Sequence, residues 1–380
     1  MAATLAAHIE RNVVMARLRG YRSAVEMILA PQQVPEEVYR TILSVVHDGM
    51  QPHMRRLLRL KQRVLGIDPV RFYDLQAPLD PTFNPPLSYD EAQELILAGL
   101  RPLGEEYGAI MQAAFRERWV DRADNVGKRS GAFCAGVYGV HPFVCMTWQG
   151  RLRNALTLAH ELGHAGQQAL SARNQIVSNT PGFGCAALGG LQGARFFSEA
   201  PSTANEILVG RQILDTTTDP RVRRLVVEQF LGTFTHNMVT HLLEAHFEQR
   251  LYDLAEAGQP ITTRTILDVQ GEVFARFYGD AMAVDDEARL YWMQQPHFYM
   301  DLYPYSYSAG LACGFNVVEA IRTEGRPAAE RWLDVLRAGY TLPPLELARR
   351  AGVDMCSPAP LERAIAFFGE LVDELEASLA

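Results

Sequence analysis

The sequence has few cysteines, no long apolar run and no excess of basic residues. Its five cysteines are scattered and form no C-x-x-C pair, so they give no sign of a cysteine zinc site and favour free thiols in a reducing cytoplasm. No stretch approaches the roughly 18 apolar residues of a membrane helix, and the N-terminus does not resemble a signal peptide. The net charge of −8 argues against nucleic acid as the main partner. We therefore expect a cytoplasmic globular protein without a nucleic-acid or membrane partner.

The sequence contains the pattern H-E-x-x-H at residues 160–164, whose side chains can bind a metal and transfer protons. The flanking apolar residues recur at three- and four-residue spacings without a proline, which predicts a helix across the pattern. On a helix, His160 and His164 share one face and can hold one metal ion, while Glu161 projects beside it and can take a proton from a bound water. The pattern also occurs by chance in unrelated proteins. Because a catalytic zinc needs three protein ligands, the sequence has to supply a third.

Two glutamates downstream can complete such a site. Glu199 and Glu206 are separated by about two helical turns, so both can face the same neighbouring helix. One carboxylate can then ligate the metal while the other accepts the N–H of a ligating histidine. The alternative is an ordinary solvated acidic start of a helix, with Pro201 in its first turn. The upstream histidine pair favours the metal site.

The histidine pair and the downstream glutamates together resemble the oligoendopeptidase F branch of the thimet-oligopeptidase family of zinc metallopeptidases. The resemblance rests on His-Glu-Leu-Gly-His followed by Glu199-Ala-Pro-Ser-Thr-Ala-Asn-Glu206. Further segments are similar to that branch in the same order along the chain: residues 20–24, 64–68, 73–75, 102–107, 118–119, 127–132, 147–149 and 296–299. The resemblance therefore spans nearly the whole chain.

This resemblance implies a fold, a cofactor and a mechanism. The implied fold is mainly α, an α-rich zincin-like metallopeptidase fold with a small β-sheet beside the H-E-x-x-H helix. One zinc ion per chain would be held by His160, His164 and Glu199. Glu161 would act as the general base, and Glu206 would orient a zinc-bound histidine. The implied activity is hydrolysis of internal bonds of peptides without a covalent intermediate, so a peptide is the implied partner.

A histidine and several tyrosines cluster at residues 295–307. Tyrosine hydroxyls and an imidazole can donate hydrogen bonds to the oxyanion of a tetrahedral intermediate, although tyrosines alone more often form an aromatic core. The resemblance implies that the segment lines the cleft opposite the zinc. It makes His297 and Tyr307 the best catalytic candidates, followed by Tyr303, and it assigns Tyr305 to substrate binding.

Residues 129–149 are rich in glycine, aromatic and β-branched residues, which predicts two short strands at 132–138 and 142–148 around a turn. A strand beside the H-E-x-x-H helix of a zinc peptidase often pairs with the extended substrate backbone, so Tyr138 and Gly139 are candidate substrate-binding residues. The alternative is a buried hairpin with no ligand role.

The sequence departs from the resembled branch in three places. Members of that branch carry an additional helical region before the part resembled here, and that region forms one wall of the substrate channel. We expect this chain to lack it, which leaves room for a homo-oligomer or a partner that completes the cleft. The glycine-rich residues 180–194 look like an insertion suited to a lid or a specificity element. Gln167 stands where the branch usually has a third histidine, outside the ligand set.

For the overall organisation we expect a single catalytic domain over residues 1–380, with lobes at 1–128 and 129–380. Helices are predicted at 4–30, 35–64, 88–100, 101–117, 220–257 and 262–280, with Gly49–Pro52 as a candidate interruption. His236, His241 and His246 recur every five residues, which rotates them by about 140° per step and predicts that they do not share one helical face. We interpret these three histidines as structural or surface groups.

Two further functions fit the same residues. One is a maturation protease dedicated to a single precursor peptide, for which the glycine-rich insertion would be an adaptation. The other is a zinc-bound peptide-binding protein without turnover. Every catalytic residue type is present, which favours a zinc-dependent endopeptidase over the peptide-binding protein. Activity on generic peptides, as opposed to activity on a single partner, would separate a general endopeptidase from the maturation protease.

Overall fold

The computed structural model describes residues 1–129, 131–175 and 192–379, which form two compact units. Unit 1 comprises 1–81, 231–308 and 361–380, and unit 2 comprises 82–230 and 309–360. The bounds of these units differ from those of the predicted lobes, and the single catalytic domain stays a prediction. None of the described helices combines the length and the apolar content that crossing a membrane requires.

Helices dominate both units, which confirms the predicted mainly α fold. In chain order they are α1 (Ala2–Leu18), α2 (Ala24–Leu29), α3 (Glu36–Leu65), α4 (Tyr89–Gly99), α5 (Gly104–Arg116), α6 (Leu152–Asn174), α7 (Ala200–Thr216), α8 (Pro220–Thr235), α9 (His241–Glu256), α10 (Thr263–Tyr278), α11 (Asp286–Arg289), α12 (Tyr305–Glu324), α13 (Arg326–Ala338), α14 (Pro344–Arg350) and α15 (Ala359–Leu379). The strands are β1 (Val120–Asp121), β2 (Phe133–Ala135) and β3 (Phe143–Cys145). Residues 180–191 of the glycine-rich stretch lie outside the described residues.

Of the first two predicted helices, the structure contradicts one and confirms the other. A single helix over 4–30 is wrong, because Gly20 adopts a φ of +78° and Ser23 starts a new helix by accepting a hydrogen bond from the Glu26 N–H at 3.0 Å. The second helix is confirmed as α3. It runs through Pro52 without the candidate interruption.

Unit 2 contains a three-stranded sheet beside α6. The strand order is β1-β3-β2, with β1 parallel and β2 antiparallel to β3. The predicted hairpin is therefore present, with strands shorter than expected, and β1 is an additional strand that the sequence did not indicate. Both β2 and β3 contact α6. The predicted small sheet beside the H-E-x-x-H helix is thereby confirmed.

Helices α6 and α7 pack closely where Gly163 faces the start of α7. A Cβ added at Gly163 would lie 2.4 Å from the Pro201 carbonyl oxygen and 2.6 Å from the Ser202 Cα. Backbone atoms cannot rotate away as a side chain can, so only glycine fits this contact. The close approach brings the beginning of α7 against the histidine-bearing face of α6.

The Gly163→Ala variant should lower the free energy of unfolding by about 1–3 kcal/mol, because an added methyl overpacks a filled contact. Urea unfolding measures the change. Gly108→Ala in α5 is the matched control, since its added Cβ would meet no atom within 4 Å, and we expect no loss of stability. Equal unfolding midpoints for the two variants would contradict the role of this contact.

Unit 1 contains a π-helical turn, His236–Thr240, directly before α9. The wider turn brings residues five apart onto the same side, and the Nε2 atoms of His236 and His241 lie 3.1 Å apart. The prediction that these two histidines face different sides is therefore wrong. His246, on the next turn of α9, packs edge-on against the His47 ring and contacts the Leu43 carbonyl at 3.2 Å.

Candidate metal centre

Three predicted ligands come together in unit 2. His160 and His164 lie on adjacent turns of α6, and Glu199 is the residue before the first turn of α7. The Glu199 Oε2 lies 3.3 Å from the His160 Nε2 and 3.4 Å from the His164 Nε2. The Glu199 side chain is almost fully buried, while each imidazole keeps about a fifth of its surface exposed. We call these three residues the unit 2 cluster.

The donor set and its spacing fit a tetrahedral metal ion. Two donors at roughly 2.0–2.1 Å from one such ion lie roughly 3.3 Å apart, which is close to the separations observed here. Two imidazole nitrogens and one carboxylate oxygen are a donor set of catalytic metal sites, which keep a further position open for water. The partly exposed imidazoles give such an ion access to solvent.

Glu206 contacts the unit 2 cluster through His160. Its Oε2 is 3.2 Å from the His160 Nδ1, the ring nitrogen that does not face Glu199. A carboxylate at this nitrogen accepts its N–H, which leaves the Nε2 lone pair free for a metal. The structure places both glutamates beside α6, as their spacing predicted. Their roles as ligand and orienting partner stay a prediction.

The charges of the side chains in the unit 2 cluster favour binding of a cation. Burial opposes ionisation of Glu199, but His164 and His160 outweigh it and hold the pKa of Glu199 well below its usual value. Burial likewise opposes protonation of His160, yet the carboxylates of Glu199 and Glu206 outweigh it and hold the pKa of His160 well above its usual value. The site therefore favours positive charge between these side chains. A divalent cation would supply that charge.

Glu161 is buried beside the cluster. Burial raises the pKa of this carboxyl, and the neighbouring imidazoles of His160 and His164 partly offset the rise. Burial and the Glu161 charge together raise the pKa of the Cys134 thiol on β2, so the strand and the predicted base are neighbours. A raised pKa favours the protonated thiol.

Several residues that support the cluster were not indicated as functional by the sequence. The Ser202 hydroxyl donates a hydrogen bond to the Glu199 Oε2 at 3.1 Å. Gly310 and Gly314 of α12 lie against the start of α7, where a Cβ at Gly310 would be 2.6 Å from the Glu199 Cβ. The only signal for these glycines is their four-residue spacing, which places them on one helical face.

The predicted aromatic residues lie in unit 1. The ring centroids of His297, Tyr303 and Tyr307 are 5.3–5.6 Å apart, so these three side chains form one group. Tyr305 is fully buried against Tyr39, which argues against the predicted contact with substrate. The catalytic role of the other three stays a prediction.

The two candidate substrate-binding residues of the hairpin lie in the turn between β2 and β3. Tyr138 is 46% exposed, and Gly139 is also exposed and adopts a φ of +90°. Both are thus accessible, and contact with substrate stays a prediction. His141 of the same turn stacks on Trp119 with an interplanar angle of 3°.

The Glu206→Gln variant should bind metal roughly 10–100-fold more weakly, because the amide no longer provides a negative acceptor for the His160 N–H. Equilibrium dialysis with metal analysis measures the affinity. Glu105→Gln, an exposed position of α5, is the matched control and should bind as the unchanged protein does. If both variants bind metal equally well, Glu206 does not orient His160.

The chain is similar to known peptidases over almost its whole length. The sequence profile of Peptidase family M3 matches residues 1–367. Oligopeptidase PepF of Bacillus subtilis is 34% identical over 376 residues, covering 99% of this chain and 54% of the relative. An oligoendopeptidase F homolog of Lactococcus lactis is 30% identical over 380 residues, covering 99% of this chain and 60% of the relative. The chain therefore spans little more than half the length of these curated relatives.

A solved structure shares the fold. The crystal structure of oligoendopeptidase-F from Enterococcus faecium matches with a TM-score of 0.75 and 29% sequence identity. The match covers 100% of this chain and 59% of that one.

Proposed function

The chain belongs to peptidase family M3, and we propose that it is a zinc-dependent endopeptidase that hydrolyses internal bonds of peptides. The observation that carries the proposal is the spacing of 3.3 and 3.4 Å between Glu199 and the two histidines of the H-E-x-x-H helix. Sequence similarity to oligoendopeptidase F proteins over 99% of the chain supports the reaction class.

His160, His164 and Glu199 would hold the zinc ion, and Glu206 would fix the His160 ring. When bound, zinc polarises the substrate carbonyl and lowers the pKa of its water towards neutrality. The chain contributes the buried carboxylates that compensate the charge of the ion. It also keeps the two imidazole Nε2 atoms within 3.4 Å of the Glu199 oxygen.

Glu161 is the residue that moves the proton. Burial raises the pKa of its carboxyl, which makes it a stronger base than an exposed glutamate. It accepts a proton from the attacking water and then passes this proton to the amine that leaves when the peptide bond breaks. A water attack of this kind needs no covalent intermediate.

The presence of Glu161 beside the cluster favours turnover over the alternative of a peptide-binding protein. The proposed substrates are short peptides, and a cytoplasmic location is proposed because each cysteine in the described part of the chain is a free thiol.

Digestion of a diverse mixture of short peptides by the zinc-loaded protein tests the reaction class, with the products read by mass spectrometry. We expect pairs of fragments that both contain several residues, because the cut falls at internal bonds. Stepwise release of single amino acids would contradict an endopeptidase. Cleavage of one peptide alone would instead support the dedicated maturation protease.

A further inference from the structure

A second group of metal-ligating side chains lies in unit 1. His241, Glu244 and His297 each offer a donor atom within 4.8 Å of the other two. His241 and Glu244 are buried, and His297 is half-buried. None of these residues belongs to the unit 2 cluster, and we call them the unit 1 cluster.

The backbone brings the unit 1 cluster together at the π-helical turn. His241 and Glu244 are three residues apart on α9, so they share one helical face. A carboxylate and an imidazole at this spacing are a recurrent ligand pair of helical metal sites. The π turn adds His236, whose Nε2 is 3.1 Å from the His241 Nε2. Such turns occur often at functional sites, which sets this segment apart from an ordinary helix.

Neighbouring side chains orient the candidate ligands. The Tyr291 hydroxyl donates a hydrogen bond to the Glu244 Oε1 at 2.9 Å, so the other oxygen of this carboxylate faces His241. The Tyr307 ring stacks on His241, with centroids 3.8 Å apart and planes inclined by 16°. Metal ligands are commonly fixed in this way by hydrogen-bonded and packed neighbours.

The buried carboxylate also provides an electrostatic reason for a cation. Glu244 is only 2% exposed, and an ionised carboxylate this deeply buried needs a positively charged partner. A divalent ion at this position would be such a partner. Its binding would replace the 2.6 Å hydrogen bond between the His241 Nδ1 and the Glu244 Oε2.

We propose that His241, Glu244 and His297 form a second binding site for a divalent transition-metal ion, with His236 as an adjoining donor. Imidazole nitrogens with a carboxylate oxygen suit zinc, cobalt and nickel better than calcium or magnesium. The inference does not depend on the function proposed above. It gives His297 a metal-binding role in addition to the one that the resemblance implies.

Counting zinc ions in separate variants tests the second site. The metal-free full chain is dialysed against buffered zinc and analysed for metal and protein. We expect about two ions per chain for the unchanged protein, about one for His160→Ala, about one for His241→Ala and none for the double variant. His246→Ala, on the next turn of α9 and outside the cluster, should keep about two. Circular dichroism verifies that each variant is folded.

The His160→Ala protein alone decides the question if His241→Ala does not fold. Retention of about one zinc ion, lost on adding His297→Ala at its half-buried position, supports the unit 1 cluster. The proposal is overturned if His160→Ala binds no zinc. It is also overturned if folded His241→Ala and His297→Ala proteins bind as much zinc as the unchanged chain.

Discussion

The Glu161→Gln variant should hydrolyse peptides about 10²–10⁴-fold more slowly than the unchanged protein, which is the contribution of a positioned general base. The amide has nearly the shape of the carboxylate but cannot accept a proton from water. The buried setting of Glu161 makes replacement by another base in the chain difficult, because the residue is only 5% exposed. The measurement is kcat/KM for a peptide identified in the mixture digest.

Measuring the zinc content of the Glu161→Gln variant distinguishes loss of the general base from loss of the metal site. Glu161 is not among the clustered donors His160, His164 and Glu199, so the variant should retain its zinc. Glu94→Gln, an exposed position of α4, is the matched control and should keep full activity. Near-normal cleavage by a zinc-loaded Glu161→Gln protein would show that Glu161 is not the base.

The Glu199→Gln variant should weaken zinc binding at the unit 2 cluster by at least about 10²-fold, beyond the effect of losing an orienting neighbour. An amide oxygen carries no charge and is a poor zinc ligand, whereas the Ser202 hydroxyl can still donate to it. Peptide hydrolysis should fall with the metal content. Zinc titration of the metal-free protein, followed by equilibrium dialysis, gives the affinity.

This substitution distinguishes a ligand from a solvated acidic start of a helix. In the latter case, Glu199→Gln and the exposed control Glu105→Gln would bind zinc equally well. Burial of Glu199 and its position between two imidazoles predict that only the first variant loses metal. Because a second zinc site is proposed in unit 1, the comparison uses the His241→Ala background.

The arrangement of the unit 2 cluster could be predicted because each of its parts depends on local helical spacing. His160 and His164 share a face through their four-residue separation, and Glu199 and Glu206 share another through two turns. The spacing could not predict the distance between α6 and α7. That distance depends on Gly163 meeting the backbone at Pro201, a contact that no pattern in either segment reveals.

Unit 1 shows where periodicity misleads. A regular helix would turn His236 and His241 to different sides, but the π turn at 236–240 is wider and brings both rings together. The end of α1 was not evident from the sequence either, because the apolar pattern continues past Gly20 although the helix ends before it. Tyr305 was assigned to substrate by resemblance, and its burial against Tyr39 follows from packing across distant parts of the sequence.

Peptide hydrolysis during titration of the metal-free chain with zinc shows whether the activity depends on the metal. We expect no cleavage without metal and a rise in cleavage that follows zinc occupancy of His160, His164 and Glu199. The titration should stay flat for Glu199→Gln over the same zinc concentrations. Cleavage by the metal-free protein at the rate of the loaded protein, or none when the unit 2 cluster is filled, would contradict a zinc peptidase.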